Sequence, residues 1–388
     1  MPDSQFLDWP FFEDRHRDLV KALEPWAQDT QARLSRTVDA HDADALTRAW
    51  VQALGDAGWL QYSAIDPDHP EVPLDVRSLC LIRETLARHH GLADFAFAMQ
   101  GLGTGALSLF GSPEQRAVLR RSRAGQCITA FALTEPQSGS DVANSTMTAR
   151  REGDHYVLDG EKTWISNGGI ADGYTVFART GDAPGAKGLS AFWVPADTPG
   201  LTIAERLHTL APHPLARLRF EACRVPVSQR IGESGAGFRM AMSVLDVFRS
   251  TVAAAALGFA RRACDEAVTR VQTRHIAGQP LAESQMVQGH IADMALSVDA
   301  SALLVYRAAW LKDQGASRVS REAAMAKLFA TEEAQKVIDL AVQLHGGEGV
   351  RSGAVVEHLY RDIRALRIYE GASDVQRVVI ARHALHAG

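Results

Sequence analysis

The chain predicts an α+β protein in three successive parts: an all-α N-terminal domain over residues 1–130, a middle β domain over 131–235 and an α-helical C-terminal domain over 236–388. Three observations lead there. Apolar side chains recur at helical spacing through the first third and again from Gly237 onward. From about Gly153 the text changes to short β-branched and aromatic runs separated by Gly, Pro and Asp. No strand–helix–strand alternation occurs, which argues against a Rossmann-type sheet or an α/β barrel.

In the first third, Phe6 to Ala27 predicts a helix with Leu19, Leu23 and Trp26 on its apolar side. Ala43 to Leu54 and Asp75 to His89 repeat the pattern, the second with Val76, Leu79, Ile82 and Leu86. Asp66-Pro67-Asp68-His69-Pro70 reads as a loop between them. In the middle part, Tyr156-Val157-Leu158 and Thr163-Trp164-Ile165 flank Asp159-Gly160, a pattern that predicts a hairpin. Tyr174 to Ala178, Leu189 to Val194, Leu201-Thr202-Ile203 and Leu218-Arg219-Phe220 predict further strands, with a turn at Gly181-Asp182-Ala183-Pro184-Gly185. Met240 to Thr273, which holds no proline and only Gly258 as a weak helix former, begins the last part. Helices over Leu281 to Asp313, Ser320 to Leu344 and Ser373 to Leu385 follow.

With 388 residues, 46% hydrophobic and 22% charged, the composition is that of an ordinary globular protein of more than one core. A net charge of -5 argues against nucleic-acid binding. Cys80, Cys127, Cys223 and Cys264 are scattered, form no C-x-x-C pair and suit a reducing cytoplasm, each read as a small buried residue. Met1 to Pro10 carries acids and no apolar run, so no signal peptide is expected. The most apolar stretch, Thr251 to Ala260, is far short of a bilayer span, so no membrane partner is expected. No metal site is expected either.

Four segments carry chemistry-bearing residues. In residues 130–142, AFALTEPQSGSDV, Thr134 and Glu135 precede a proline and Ser138-Gly139-Ser140-Asp141 crowds hydroxyls beside a glycine. Such a run offers donors to a diphosphate or a flavin edge, and also reads as a plain turn. In residues 161–169, EKTWISNGG, the indole of Trp164 can pack on a flat ring or simply fill core. In residues 343–349, QLHGGEG, a helix meets paired glycines that allow close backbone approach or cap the helix. In residues 360–377, YRDIRALRIYEGASDVQR, Arg361, Arg364 and Arg367 mark either a helix face or an alternating strand. Glu370 then sits between Tyr369 and Gly371, ahead of a helix capped around Ala372 or Ser373. A carboxylate placed there can be desolvated into the range of a general base, or can serve as a cap.

Together the four segments resemble, in order and spacing from about residue 10 to residue 385, the signature segments of the acyl-CoA dehydrogenase family. The resemblance implies that family's fold: an all-α N-terminal domain, a β-barrel-like middle domain and a C-terminal four-helix bundle. It implies FAD between the middle domain and the bundle, and a homotetramer built as a pair of dimers. Phe131, Leu133 and Thr134 would then meet the isoalloxazine edge, with Gly139 and Ser140 at the diphosphate or the bound thioester. Trp164, Ile165 and Ser166 would flank the ring, and Gln343, Leu344, Gly346, Gly347, Arg274 and Gln285 would contact the FAD of the neighbouring subunit. Ala372 and Asp374 would lie near the cofactor. On the substrate side the resemblance implies Asp246 and Arg249 at the CoA mouth, Ser140 and Gly371 at the thioester, and Phe95, Met99 and Gln100 at the floor of the acyl pocket. Glu370 matches the catalytic base, and the alternative base position of some members is Phe248, which cannot take a proton.

Two positions depart from the family pattern. Arg274-His275-Ile276-Ala277-Gly278 carries Ala277 where the family has a phenylalanine on the cofactor, and Ala372 replaces a threonine. The activity implied is α,β-dehydrogenation of an acyl-CoA to the trans-2-enoyl-CoA. Glu370 takes the α-proton, flavin N5 accepts the β-hydride and an electron-transferring flavoprotein takes the electrons. Rivals on the same fold are a carrier-protein-linked dehydrogenase, an oxygen-using oxidase or monooxygenase and a non-catalytic DNA-binding relative. Gly101-Leu102-Gly103-Thr104-Gly105 follows no strand and reads as close helix packing rather than a dinucleotide loop.

Overall fold

The computed structural model describes residues 5–181, 183–316 and 318–385, so Asp182 of the expected 181–185 turn and the first four residues of the expected leaderless start lie outside it. The chain divides into two compact units that are discontinuous in sequence. One comprises Met1–Ala32, Asp75–Asp94 and Arg249–Gly388, and the other Arg33–Leu74 and Phe95–Phe248. We call them the helical unit and the sheet unit.

The sheet unit is built on one mixed sheet. Its strands are β1 (Thr129–Ala132), β2 (Thr148–Glu152), β3 (His155–Ser166), β4 (Gly173–Arg179), β5 (Leu189–Pro195), β6 (Leu201–Arg206), β7 (Leu215–Pro226) and β8 (Arg230–Ile231). They pair in the order β6-β7-β3-β2-β4-β5-β8, with β1 parallel to β4 off that path. Asp159-Gly160 makes no hairpin turn. Strand β3 runs through it and stays paired with β7 from His155 opposite Pro226 to Ser166 opposite Leu215, with register shifts at Leu158/Gly160 and Lys162/Ile165. The Asp159 carboxylate accepts the Ala222 backbone N–H at 2.7 Å, so the dipeptide serves a bulge. The tight turn lies six residues earlier, between β2 and β3 at Gly153-Asp154, with Glu152 paired to His155 and Gly153 at φ +62°.

Helices α1 (Asp14–Thr37), α2 (Ala43–Asp56), α3 (Val76–His89), α4 (Gly91–Phe110) and α5 (Ala117–Arg123) make up the first third. The first differs from the expected Phe6–Ala27. A short 3-10 turn, Gln5–Asp8, comes first, and the helix starts only after Pro10, whose ring nitrogen has no proton to donate. The glycines of α4 do allow close packing. A Cβ on Gly101 would lie 2.5 Å from the Phe248 ring, one on Gly103 2.4 Å from Thr129 Oγ1, and one on Gly105 2.7 Å from Val244.

The last part holds α6 (Gly237–Thr273), a two-residue hairpin of β9 (His275–Ile276) and β10 (Gln279–Pro280), α7 (Gln285–Asp313), α8 (Ser320–His345), α9 (Val355–Leu366) and α10 (Ser373–Leu385). Within the helical unit α8 packs against α7, α9 and α10. Helices α6 and α7 are longer than the apolar stretch picked out in the sequence and are long and apolar enough to cross a membrane by that test. In α6, however, 78% of the apolar window is buried inside the protein, as in a core helix. Its alanines 253–256 are fully buried.

Around Gly258 the backbone of α6 meets α3 directly. A Cβ there would stand 2.2 Å from the Glu84 backbone carbonyl oxygen, which a helix cannot move aside. Gly258→Ala is therefore expected to force α3 from α6 at a cost of about 1–3 kcal/mol, read as a lower Tm. An unchanged Tm would mean that the contact is not tight.

Candidate active site

Helix α9 ends at Leu366, and the chain turns before α10 begins at Ser373. Arg361, Arg364 and Arg367 thus belong to a helix and its exit, not a strand: Arg361 pairs with Glu357 one turn back at 2.7 Å, and Arg367 binds the Glu332 carboxylate at 2.7 and 3.0 Å. Between them and α10, Glu370 has φ +53° and Gly371 φ +96°. A non-glycine residue in this left-handed region costs about 1–3 kcal/mol and persists only where its surroundings hold it. Position 371 favours glycine, because φ +96° strains any other residue and a Cβ would displace Gln376 Nε2, 2.4 Å away, from its bond to the Gly371 carbonyl.

The bend carries the Glu370 carboxyl inward while leaving part of the residue open. Its Oε2 is buried with no hydrogen-bond partner. Burial pushes the carboxyl up to about 7, against the opposing pull of Arg83, Lys327 and Arg249. Desolvation outweighs three cations here, which is the environment that turns a glutamate into a base working near neutrality. Arg249, expected at the substrate mouth, is one of those cations and is buried.

Three of the charged groups around Glu370 had no role in the sequence reading. Arg83 on α3 makes a two-pronged pair with Asp94 on α4 at 2.7 and 2.8 Å and donates to Thr251 Oγ1 at 3.0 Å. Burial disfavours its charge, but Asp94 holds it protonated. Lys327 on α8 is fully buried and donates to the Gly371 carbonyl at 2.8 Å. Burial lowers it to about 8, with Glu370 pulling the other way. The signal for Lys327 was present in the text: a lysine inside Ala-Ala-Met-Ala-Lys-Leu-Phe-Ala is not on a solvated face. Nothing in the sequence links Arg83 to Asp94.

In the sheet unit, the 130–142 segment leaves β1 and is pinned by a buried ion pair. The Glu135 carboxylate accepts from Lys162 Nζ at 2.8 Å, from Thr146 N at 2.6 Å and Oγ1 at 3.0 Å, and from Met147 N at 3.1 Å. Burial opposes the Glu135 charge, but Lys162 and these donors hold its carboxyl below the ordinary range. Lys162 also donates to the Leu133 carbonyl at 2.9 Å, and Thr163 N to the Thr134 carbonyl at 2.9 Å. These bonds fix the main chain of Leu133 and Thr134 beside Trp164. Gly139 and Ser140 remain exposed, and Phe131 packs on Phe177 with ring centres 5.0 Å apart.

Trp164 sits at the second register shift of β3 with φ +58° and is 59% exposed. A large indole held outward in a strained backbone conformation is not core, and offers a flat face to a planar cofactor. Together with the exposed Gly139 and Ser140, it fits a flat, anionic group such as FAD. Ser166 is half-buried, while Ile165 is in the core, so only its main chain can meet a cofactor.

The remaining expected residues divide. Gln343, Gly346 and Gly347 are exposed at the end of α8, Gly346 with φ +63°, and Leu344 is buried beneath them. Arg274 and Gln285 are exposed on either side of the β9–β10 hairpin. Ala277 occupies the tip of that hairpin at φ +50°, followed by Gly278 at φ +81°, the pair of left-handed residues that a two-residue turn demands. Ala372 accepts the Gln376 N–H at 3.0 Å ahead of α10, and Asp374 is exposed and paired with Arg377 at 2.9 Å. Asp246 is half-buried, Met99 is buried, and Phe95 packs on His213 at 4.8 Å.

Gln100 does not suit the floor of an acyl pocket. It is fully buried, its amide nitrogen donates to Ser122 Oγ at 3.1 Å and the Cys127 carbonyl at 2.6 Å, and its oxygen accepts from Thr129 N at 2.9 Å. The amide is spent on tying α4 to β1, with no group left for a ligand.

Lys162→Met is expected to leave Glu135 buried without its cation and to cost about 3–5 kcal/mol in denaturant unfolding. A loss well under 1 kcal/mol would mean that the pair does not hold the segment.

Comparison with known proteins agrees with this arrangement along the whole chain. Family models for the acyl-CoA dehydrogenase N-terminal, middle and C-terminal domains match residues 13–124, 130–223 and 235–385. The human mitochondrial short-chain specific acyl-CoA dehydrogenase is 38% identical over 384 residues, 96% of this chain and 91% of that protein. Butyryl-CoA dehydrogenase from Megasphaera elsdenii superposes with a TM-score of 0.87 at 31% identity, covering 97% of this chain and 99% of that one. The FAD complex of PigA gives a TM-score of 0.87 at 27% identity, over 97% and 99% of the two chains. Members of the family bind FAD and are oxidoreductases. On three domain models in order and more than 30% identity over nearly its full length, the chain belongs to the acyl-CoA dehydrogenase family.

Proposed function

We propose that the chain dehydrogenates a short acyl-CoA to its trans-2-enoyl-CoA, with Glu370 as the base. The observation that carries this reading is the Glu370 carboxyl itself. It is held in a left-handed bend, with one oxygen buried and partnerless, and is pushed up to about 7 by burial. The short acyl chain is suggested by the names of the human and Megasphaera relatives.

An α-proton of a thioester is weakly acidic, so its removal needs an oriented base in a place that excludes water. Glu370 supplies the base: its carboxylate takes the α-proton, and the cations around it favour release of that proton to solvent before the next turnover. The Glu370 backbone N–H is the proposed donor to the thioester oxygen, where charge develops as the proton leaves. FAD, when bound, supplies the acceptor for the β-hydride. Trp164, Ser166 and the Leu133–Thr134 main chain are the residues proposed to hold it in the sheet unit, with Gly139 and Ser140 at its diphosphate. Gln343, Gly346, Gly347, Arg274 and Gln285 are proposed to meet the cofactor of a neighbouring copy in a homotetramer. The same reading has an electron-transferring flavoprotein as oxidant and a cytoplasmic location.

Glu370→Gln is expected to keep FAD bound yet lose flavin bleaching by butyryl-CoA; full bleaching in that variant would overturn the assignment. A panel from butyryl- to palmitoyl-CoA with an artificial acceptor should show the best kcat/KM among the short chains.

The raised Glu370 carboxyl gives activity and stability opposite pH dependences. Only ionised Glu370 accepts a proton, so kcat/KM in the wild type should fall as pH drops below about 7. For stability the effect runs the other way. A carboxyl whose folded value is raised above its unfolded value favours the unfolded state as pH climbs from the ordinary glutamate range to about 7. Glu370→Gln should therefore raise Tm at pH 8 and change it little at pH 4, and a Tm unchanged at pH 8 would contradict the burial argument.

A further inference from the structure

Helix α8 grips the bend that carries Glu370 at both ends. On one side the Glu332 carboxylate takes two bonds from Arg367 and one from Ser373 Oγ, the residues that open and close the bend. On the other, the Gly371 carbonyl takes Lys327 Nζ at 2.8 Å and Gln376 Nε2 at 2.8 Å, both from fully buried side chains. A buried lysine is an expensive way to satisfy one carbonyl, because the ammonium loses its hydration for a single neutral partner. Gln376 already serves that carbonyl. What Lys327 adds is charge.

The charged groups that act on Glu370 come from four helices, Arg83 from α3, Asp94 from α4, Arg249 from α6 and Lys327 from α8, and the neighbouring Tyr369 hydroxyl feels the charge of Glu370. Of the cations, Arg83 pulls hardest on Glu370, but it is committed to its two-pronged pair with Asp94. Lys327 is bonded to a neutral carbonyl, so its charge is left to act on Glu370.

We propose that Lys327 is the positioning residue of this site: its buried ammonium, anchored on the Gly371 carbonyl, holds the bend and keeps the Glu370 carboxyl ionised and able to accept a proton. The proposal rests on the reading of Glu370 as the base. The shifts agree with the geometry, since Lys327 and Glu370 are displaced toward each other by burial and each opposes the displacement of the other.

Three variants separate the charge from the hydrogen bond. Lys327→Gln keeps a donor for Gly371 without the charge, Lys327→Met removes both, and Lys327→Arg keeps both. The readout is the acid limb of kcat/KM for butyryl-CoA in FAD-loaded enzyme with an artificial acceptor. In K327Q and K327M the limb should move up by about one pH unit, equivalent to about a tenfold further loss well below the limb. In K327R it should stay at its wild-type position, whatever the plateau rate. A wild-type limb in K327Q would overturn the proposal, because the hydrogen bond alone would then suffice. A limb displaced equally in K327R would overturn it too.

A second measurement needs no Lys327 variant, and decides the matter if those variants do not fold. The ε-carbon NMR resonance of Lys327 should titrate at lower pH in E370Q than in the wild type, and equal titration in the two would overturn the coupling. Flavin bleaching distinguishes a failure of the Lys327 role from a failure of the base assignment. If E370Q is inert while K327Q keeps a wild-type limb, only the role of Lys327 fails. If E370Q is bleached in full, the base assignment fails first.

Discussion

The left-handed bend at Glu370 and Gly371 is held from outside itself. A glutamate at φ +53° followed by a glycine at φ +96° makes no helix and no strand, and its backbone alone would relax to a more ordinary conformation. The bend persists because α8 supplies a carboxylate to its flanks and a cation to its carbonyl, while Gln376 closes it from α10. The cost of the strain is met by bonds made elsewhere in the helical unit, and what the strain delivers is direction. It turns one carboxyl into a region where its oxygen has no protein partner.

The sheet unit uses the same device for a different side chain. Trp164 also has a positive φ, three residues before Asn167 at φ +62° just past the strand's end, and the strand that carries Trp164 is kept in place by its long pairing with β7. Beneath it the Lys162–Glu135 pair ties the loop after β1 to β3. In each unit a buried lysine joins a strained segment to a regular element, but with different partners. Lys162 meets a carboxylate that four donors stabilise, whereas Lys327 meets a carbonyl and leaves its charge for a neighbour. The first arrangement is fully satisfied and suits stability. The second is not, and suits a group that must change protonation state.

Rigid packing makes these placements possible. The glycines of α4 leave room for the side chains of Phe248, Thr129 and Val244, Gly258 lets the backbone of α6 meet that of α3, and the alanines 253–256 of α6 are fully buried. Gln100 belongs to that frame. Its polar side chain invited a ligand-binding role, yet three hydrogen bonds to Ser122, Cys127 and Thr129 make it a strut.

Periodicity and turn chemistry in the sequence determined the order of elements and the approximate extent of most. Hydrophobic spacing reports which face of a local element is buried, and that is a local property. The motif segments likewise marked Glu370, Trp164 and the 134–140 loop, because unusual backbone demands leave glycines and hydroxyls in the text. Tertiary structure decided what local pattern cannot express. Asp159-Gly160 became a bulge because β7 pairs across it, and the first helix waited for Pro10 to pass. The groups that set the charge around Glu370 come from positions 83, 94, 249 and 327, separated by up to 244 residues from one another, and only the packing of helices brings them to one carboxyl. A base can be recognised in a sequence, but its protonation is a property of its neighbours in space.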